Sequence, residues 1–290
     1  MANLKFPSFK NVYPGERRLL KKIRQRTRFY SSILYCHNEV DMLMNFLNEH
    51  PFWLNLFQEK PFRFNTVLHK YCDKRFGKRQ RISTILYNLN QFEKLFAESF
   101  CQKLLTDKSI TLLNIDDELS LNINLNDIEP AEGYFAVSLR YQNQKVYDSS
   151  FTLLEPNKLL IASIQGSNAE NAQKLIKIVT KKLNGIRPMF MLICLFKMIS
   201  EHYALQLCAI PHKYQAKYRF NDNARLLFNY DEFWQENGAE LKGEYWELSN
   251  TIEQKSLDDI PSKKRSMYRK RYEMLDILSQ NIKQELLNGR

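Results

Sequence analysis

Apolar residues recur with a period of two along ELSLNINLND (118–127), at Leu119, Leu121, Ile123 and Leu125. They do so again along GYFAVSLRYQ (133–142), at Phe135, Val137, Leu139 and Tyr141. Successive strand side chains point to opposite faces, so both runs predict half-buried strands. KVYDSSFTLLE (145–155) and KLLIASIQG (158–166) follow, separated by the turn-prone tripeptides QNQ and EPN. Strands this close in sequence predict an antiparallel meander. The unbroken apolar run Leu159 to Ile164 predicts a strand covered on both faces.

Helical periods flank the meander. GERRLLKKIRQRTRFYSSILY (15–35) places Leu19, Leu20, Ile23, Tyr30 and Leu34 near one face, with Arg17, Arg18, Lys21, Lys22, Arg24 and Arg28 around the rest. Two readings fit: a core-facing helix with a basic, solvated back, or a helix lying on an anionic membrane surface. Residues 37–100 read as mostly helical, with breaks at Pro51 and Pro61. After Gly166, NAENAQKLIKIVTKKLNG reads as a helix with Asn168 as N-cap and Gly185 just past its end. A second helix starts at Pro188. ALQLCAI (204–210) reads as a buried strand, ARLLFNYDEFWQENG (224–238) as a short helix and ELKGEYWEL (240–248) as a final strand. A closing helix runs from Ser262 to Leu287, its core stripe formed by Tyr268, Tyr272, Leu275, Leu278, Ile282 and Leu286.

This order predicts an α+β fold: a mostly antiparallel central sheet with flanking helices, in a GNAT-like layout, plus an N-terminal helical region. The expected division is a basic helical region over 1–110 and an α+β domain over 111–290. The phosphate-cradling signature Q/R-x-x-G-x-G/A, usual after the fourth strand of the GNAT fold, is missing; QGSNAENAQ stands in its place.

Charge and cysteine content narrow the function classes. Of the net +11, residues 1–100 carry +10, from 18 Lys/Arg against 8 Asp/Glu. One part of the molecule is therefore expected to face a polyanion, an anionic lipid or an acidic protein. No recognised nucleic-acid module accompanies the charge, so nucleic acid ranks last among these. The five cysteines are scattered without a CxxC pair, which predicts reduced thiols and no structural zinc. The longest apolar run, Met189 to Ile199, is broken by Lys197, short of the roughly 20 residues that span a bilayer. With no apolar leader, MANLKFPSFK predicts a cytoplasmic protein.

Five stretches, taken together, resemble the VirK/YbjX family of Gram-negative bacteria: IQG (164–166), TKKLNGIRP (180–188), HKY (212–214), NYDEFWQENG (229–238) and IPSKKRSMYRKRY (260–272). The resemblance spans residues 110–285. It implies a cytoplasmic protein linked to virulence, to envelope integrity and to resistance against cationic antimicrobial peptides. It brings no catalytic residue.

The residues supply their own site candidates. Arg187, just before the helix at Pro188, is placed to hold a phosphate or carboxylate beside exposed N–H groups, or to pair with a nearby acid. Gln165 and Gly166 shape the strand-to-helix turn. His212, beyond the carboxyl end of strand 204–210, is placed to act as a general base, or to close a loop, for example on Asp222; Tyr214 stands beside it. Lys263, Lys264, Arg265 and Arg269 crowd the start of the last helix, where the macrodipole disfavours cations, which fits a bound anion as well as a solvated face. Tyr230, Phe233 and Trp234 read as core. No GxSxG, HExxH or P-loop is present. The functional expectation is acyl transfer near the inner membrane from acyl-CoA or the phosphopantetheine of an acidic acyl carrier protein, with no metal. The alternative is a non-enzymatic adaptor or chaperone binding an acidic protein or anionic lipid.

Overall fold

The computed structural model describes residues 5–15, 18–217 and 228–288. Its centre is an eight-stranded sheet whose spatial order is Ser109–Asn114, Leu119–Leu125, Phe135–Tyr141, Gln144–Leu154, Lys158–Gly166, Gln206–Ala209, Tyr245–Leu248 and Glu240–Lys242. The predicted meander is present as β2 (Leu119–Leu125), β3 (Phe135–Tyr141), β4 (Gln144–Leu154) and β5 (Lys158–Gly166), all antiparallel neighbours. An unforeseen β1 (Ser109–Asn114) adds to its outer edge. β6 (Gln206–Ala209) pairs with β5 in parallel, the one parallel pair of the sheet as described. The mostly antiparallel α+β fold expected from the sequence is thus what the structure shows.

Period-two alternation gives the meander two unlike faces. Leu121, Ile123, Phe135, Val137, Leu139 and Phe151 are fully buried against two helices, α6 (Lys78–Asp107) and α8 (Pro188–His202). Phe92 of α6 stacks on Phe135 with ring centroids 3.6 Å apart. On the other face Asn122 pairs with Ser138, Ser138 with Asp148, Ser150 with Ser163 and Asp148 with Gln165. This polar face carries the candidate site.

The helical N-terminal region folds as α1 (Phe9–Val12), α2 (Leu19–Tyr35), α3 (His37–Glu49), α4 (Leu54–Glu59) and α5 (Phe64–Leu68). Short 3-10 turns begin at both expected breaks, Pro51 and Pro61. After β5 come α7 (Ala172–Lys182) and α8. The N-cap of α7 is Asn171 and not Asn168, because Ser167 accepts the N–H of Ala169 and holds residues 167–169 in a turn before the helix. Past β6, α9 (Tyr230–Glu236) buries Tyr230, Phe233 and Trp234 as expected; the start of the predicted helix, 224–227, lies outside the described residues. ELKGEYWEL is two strands rather than one. β7 (Glu240–Lys242) and β8 (Tyr245–Leu248) form a hairpin around Gly243.

The last helix, α10 (Ser262–Asn288), buries Leu275, Leu278, Ile282 and Leu286. The five cysteines are free thiols, four of them buried. Among the described residues, no helix is long and apolar enough to cross a membrane.

The end of α7 falls one residue earlier than expected: Asn184, φ +50°, takes the left-handed position just past the cap Leu183, and Gly185, φ +82°, follows it. The Gly185 N–H reaches back to the carbonyl of Thr180 at 2.8 Å, the long bond of this helix ending. The Arg271 guanidinium of α10 donates to the carbonyl of Asn184 at 2.9 and 3.1 Å, so a cation sits on the negative end of the α7 dipole. A Cβ on Gly185 would lie 2.9 Å from that guanidinium. Gly185→Ala is expected to lower stability by about 1–2 kcal/mol, read as a lower urea midpoint with an unchanged slope.

Candidate functional site

β6 ends at Ala209, opposite Ile161, while β5 runs on to Gly166. Pro211 then turns the chain away. Past this fork the edge of β5 has no strand partner among the described residues, and its backbone groups need one. Tyr230 supplies it. Its hydroxyl donates to the carbonyl of Ile164 at 2.7 Å and accepts the N–H of Ile164 at 3.2 Å. α9 is fixed there by further bonds: Trp234 Nε1 donates to the carbonyl of Ile210, and Asp231 accepts the N–H of His212 and Trp246 Nε1.

Beside the fork, on the polar face, lies Glu132, only 4% exposed. Gln165 Nε2 donates to its carboxylate at 2.7 Å. Ser150 donates to its backbone carbonyl at 2.8 Å and lies 2.7 Å from the Ser163 hydroxyl. Lys217 Nζ is 3.7 Å from the carboxylate and 3.9 Å from that of Glu129. Burial pushes the Glu132 carboxyl up to about 7, and the nearby charge of Lys217 and a bond from Ser163 limit the rise. A carboxyl that changes charge near neutral pH can accept or release a proton under cellular conditions. Gln215, 2% exposed, lies beside Tyr230 at the same place. Among the described residues its Nε2 has no hydrogen-bond partner, leaving a buried donor for a ligand.

The loop carrying Glu132 is held from below. Asn126 Nδ2 donates to the carbonyls of Glu129 and Gly133. At Gly133, φ is +121°, and a Cβ there would stand 2.6 Å from the carbonyl oxygen of Phe151. Only glycine lets the loop lie this close to β4. Residues 63–75 brace it from the side. Arg63, fully buried, donates to the carbonyls of Leu56 and Asn126 and to Asp127. Thr66 bonds the Tyr134 hydroxyl at 2.6 Å, and the N–H of Cys72 meets the carbonyl of Ala131. The same segment holds the 212–217 turn, through Lys70 to the carbonyl of Ala216 and through a bridge between Asp73 and Gln215.

The residues singled out from the sequence divide among several places. Gln165 stands at the Glu132 cluster. Gly166, at the end of β5, packs on the Tyr147 ring. His212 accepts the backbone N–H of Tyr230 on Nδ1 at 3.4 Å, so that lone pair helps hold the start of α9. Asp222 lies outside the described residues. Tyr214 stacks on the Arg75 guanidinium, 4.0 Å from the ring centre, while Arg75 grips buried Asp73 with two nitrogens. Arg187 pairs with Glu236 at 2.8 Å and covers the Phe190 ring. Arg265 folds back onto the carbonyls of Ile260 and Asp258. Lys263, Lys264 and Arg269 are exposed. The contacts described for Arg187 and Arg265 share no residue. Glu132 was missed because nothing in EPAEG marks its carboxyl as buried. The one usable signal was a glycine directly after an acid between two predicted strands.

Residues 18–284 match the family described as "Protein of unknown function (DUF535)". The chain belongs to this family. It is the VirK/YbjX family that the five motifs resemble. An uncharacterized protein of Haemophilus influenzae is 48% identical over 282 residues, covering 96% of this chain and 97% of that protein. Membrane protein LapB of Mannheimia haemolytica is 32% identical over 75% of this chain and 96% of its own length. Uncharacterized protein YbjX of Escherichia coli is 22% identical over 81% and 76%. No solved structure matches.

The carboxyl of Glu132 binds its proton more tightly in the fold than in the unfolded chain, where its ordinary value is 4.5. The contribution of Glu132 to stability therefore falls as pH rises from about 4.5 to about 7 and is flat beyond, while His69, whose imidazole burial pulls down to about 4, contributes in the opposite sense over much of the same window in wild type and variant alike. Glu132→Gln removes the Glu132 contribution. The variant is expected to exceed the wild type by up to about 3 kcal/mol near pH 8 and to lose that advantage near pH 4, measured by urea unfolding at both pH values.

Proposed function

We propose that this DUF535 protein transfers an acyl group from a phosphopantetheine thioester to an amine or hydroxyl acceptor, at the inner face of the cell envelope. The observation that carries this reading is the Glu132 carboxyl, poised near neutral pH beside the fork of the parallel strands β5 and β6. Ligands gather outside the carboxyl ends of parallel strands where the chain changes direction.

In the reaction, Glu132 as carboxylate takes the proton of the acceptor N–H or O–H as that atom attacks the thioester carbonyl. The tetrahedral intermediate collapses, the C–S bond breaks, and the thiolate leaves. Glu132 returns the proton to sulfur, so the donor departs as a free thiol. Gln165 and Lys217 hold the carboxylate in place. An amide-bearing donor arm would take the bonds that the Tyr230 hydroxyl makes with Ile164, so Tyr230 is the group that yields when the donor enters. The basic surface suits an acidic carrier protein, and a carrier held by protein contacts does without the phosphate signature absent from QGSNAENAQ.

The same Tyr230 bonds support a second reading. A fork already closed by a side chain needs no ligand, and a protein built so would serve as an adaptor whose basic surface holds an acidic protein or an anionic lipid.

Thiol release from acyl carrier protein or acyl-CoA, followed in the presence of a Gram-negative membrane extract as acceptor, separates the two. Acyl transfer predicts release that rises with pH through about 7 and falls roughly 10²–10⁴-fold in Glu132→Gln, with the variant folded. Absence of release from either donor, with an envelope protein co-purifying instead, selects the adaptor.

A further inference from the structure

α2 carries two apolar stripes. One faces the core through Phe29, which is buried against Phe9 and Tyr13, and through half-buried Ile33. That stripe already fastens the helix. The other comprises Leu19, Leu20, Ile23, Tyr30 and Leu34, and all five are exposed, Leu20 by 83% and Leu34 by 76%. At about 100° per residue these five fall within an arc about 100° wide. Arg24 and Arg28 flank it on one side, Lys22 and Arg26 on the other, all exposed. Beside the second flank, Lys10, Lys22 and Arg26 line a groove of about 350 Å³ with Tyr13 and Tyr30.

We propose that this outer stripe of α2 docks the protein on an anionic lipid surface. The apolar side chains enter the boundary between headgroups and acyl chains, and the flanking cations meet lipid phosphates. Apolar burial and basic attraction together give the two signals that stable peripheral binding requires. The groove lined by Lys10, Lys22 and Arg26 offers three cations to a headgroup phosphate. A polyanion without an apolar phase would leave five large aliphatic and aromatic side chains in water. A folded acidic partner would need a cleft to receive a convex helix, whereas a bilayer deforms around it. The inference is independent of the chemistry assigned to Glu132.

The test is flotation of the full chain with vesicles of phosphatidylethanolamine and phosphatidylglycerol, against phosphatidylcholine alone. Binding is expected to the anionic vesicles only. Leu20→Ser with Leu34→Ser removes exposed apolar area without touching charge or core, and is expected to weaken binding at least about tenfold. Arg24→Gln with Arg28→Gln is expected to weaken it by a similar factor and to reduce its salt dependence. Tyr30→Trp adds an indole to the stripe, and brominated acyl chains are expected to quench the fluorescence that this variant gains over the wild type. Two results would overturn the proposal. The first is wild-type binding by the serine variant, or no quenching of the fluorescence gained in Tyr30→Trp, which would make the attraction purely ionic. The second is absence of binding to any vesicle, with or without capture of an acidic protein on α2.

Discussion

The mismatch in length between β5 and β6 governs the functional end of the molecule. The two strands pair in parallel over only four residues, from Lys158 and Gln206 to Ile161 and Ala209. Beyond that point a buried strand edge must find other partners, because unmet backbone groups in the interior are costly. The Tyr230 hydroxyl is both donor and acceptor to one residue, Ile164. It stands in for a missing strand, and through it α9 is tied to the centre of the sheet. The side chains that surround this place, Gln165, Ser163 and Glu132, then form a polar cluster on the face that alternation left free of apolar residues.

The basic N-terminal third has two distinct uses of charge. Inside, Arg63 and Arg81 are buried and donate to main-chain carbonyls, Arg81 to those of Val67, Leu68 and Phe76. A planar guanidinium with five donors can close several chain ends at once. Segment 63–75, fixed in this way, holds the loop of Glu132 and the turn at 212–217. Outside, on α2, Lys22, Arg24, Arg26 and Arg28 are exposed beside an exposed apolar stripe. The sum of charges is blind to this division, and so is any inference drawn from the sum alone.

The cations at the start of α10 follow the same logic. Arg265 bonds carbonyls of the turn before the helix, and Arg271 caps the end of α7, where the dipole favours a positive group. Arg265 lies near the unfavourable end of α10 and serves the turn before it, whereas Arg271, nearly three turns in, is free of that penalty and serves α7. The unfavourable position of a basic residue in its own helix therefore need not signal an anion. Arg187, for its part, meets Glu236 on α9.

The sequence by itself determined the strands of the meander, the helices α2, α7, α8 and α10, and the aromatic core of α9. These follow from local periodicity and backbone preference, which each segment carries within itself. It also announced the polar face, since Asn122, Asn124, Ser138 and Ser150 alternate with core residues. Only the tertiary structure decided which acid became special. Glu132 acquires its proton affinity from burial beneath loops far apart in sequence, and desolvation is a property of what surrounds a group. Likewise only packing decided which stripe of α2 stayed outside. Leu19, Leu20, Ile23, Tyr30 and Leu34 have the spacing of a core face, yet the core selected Phe29 and Ile33, because periodicity defines a face and not the direction it points.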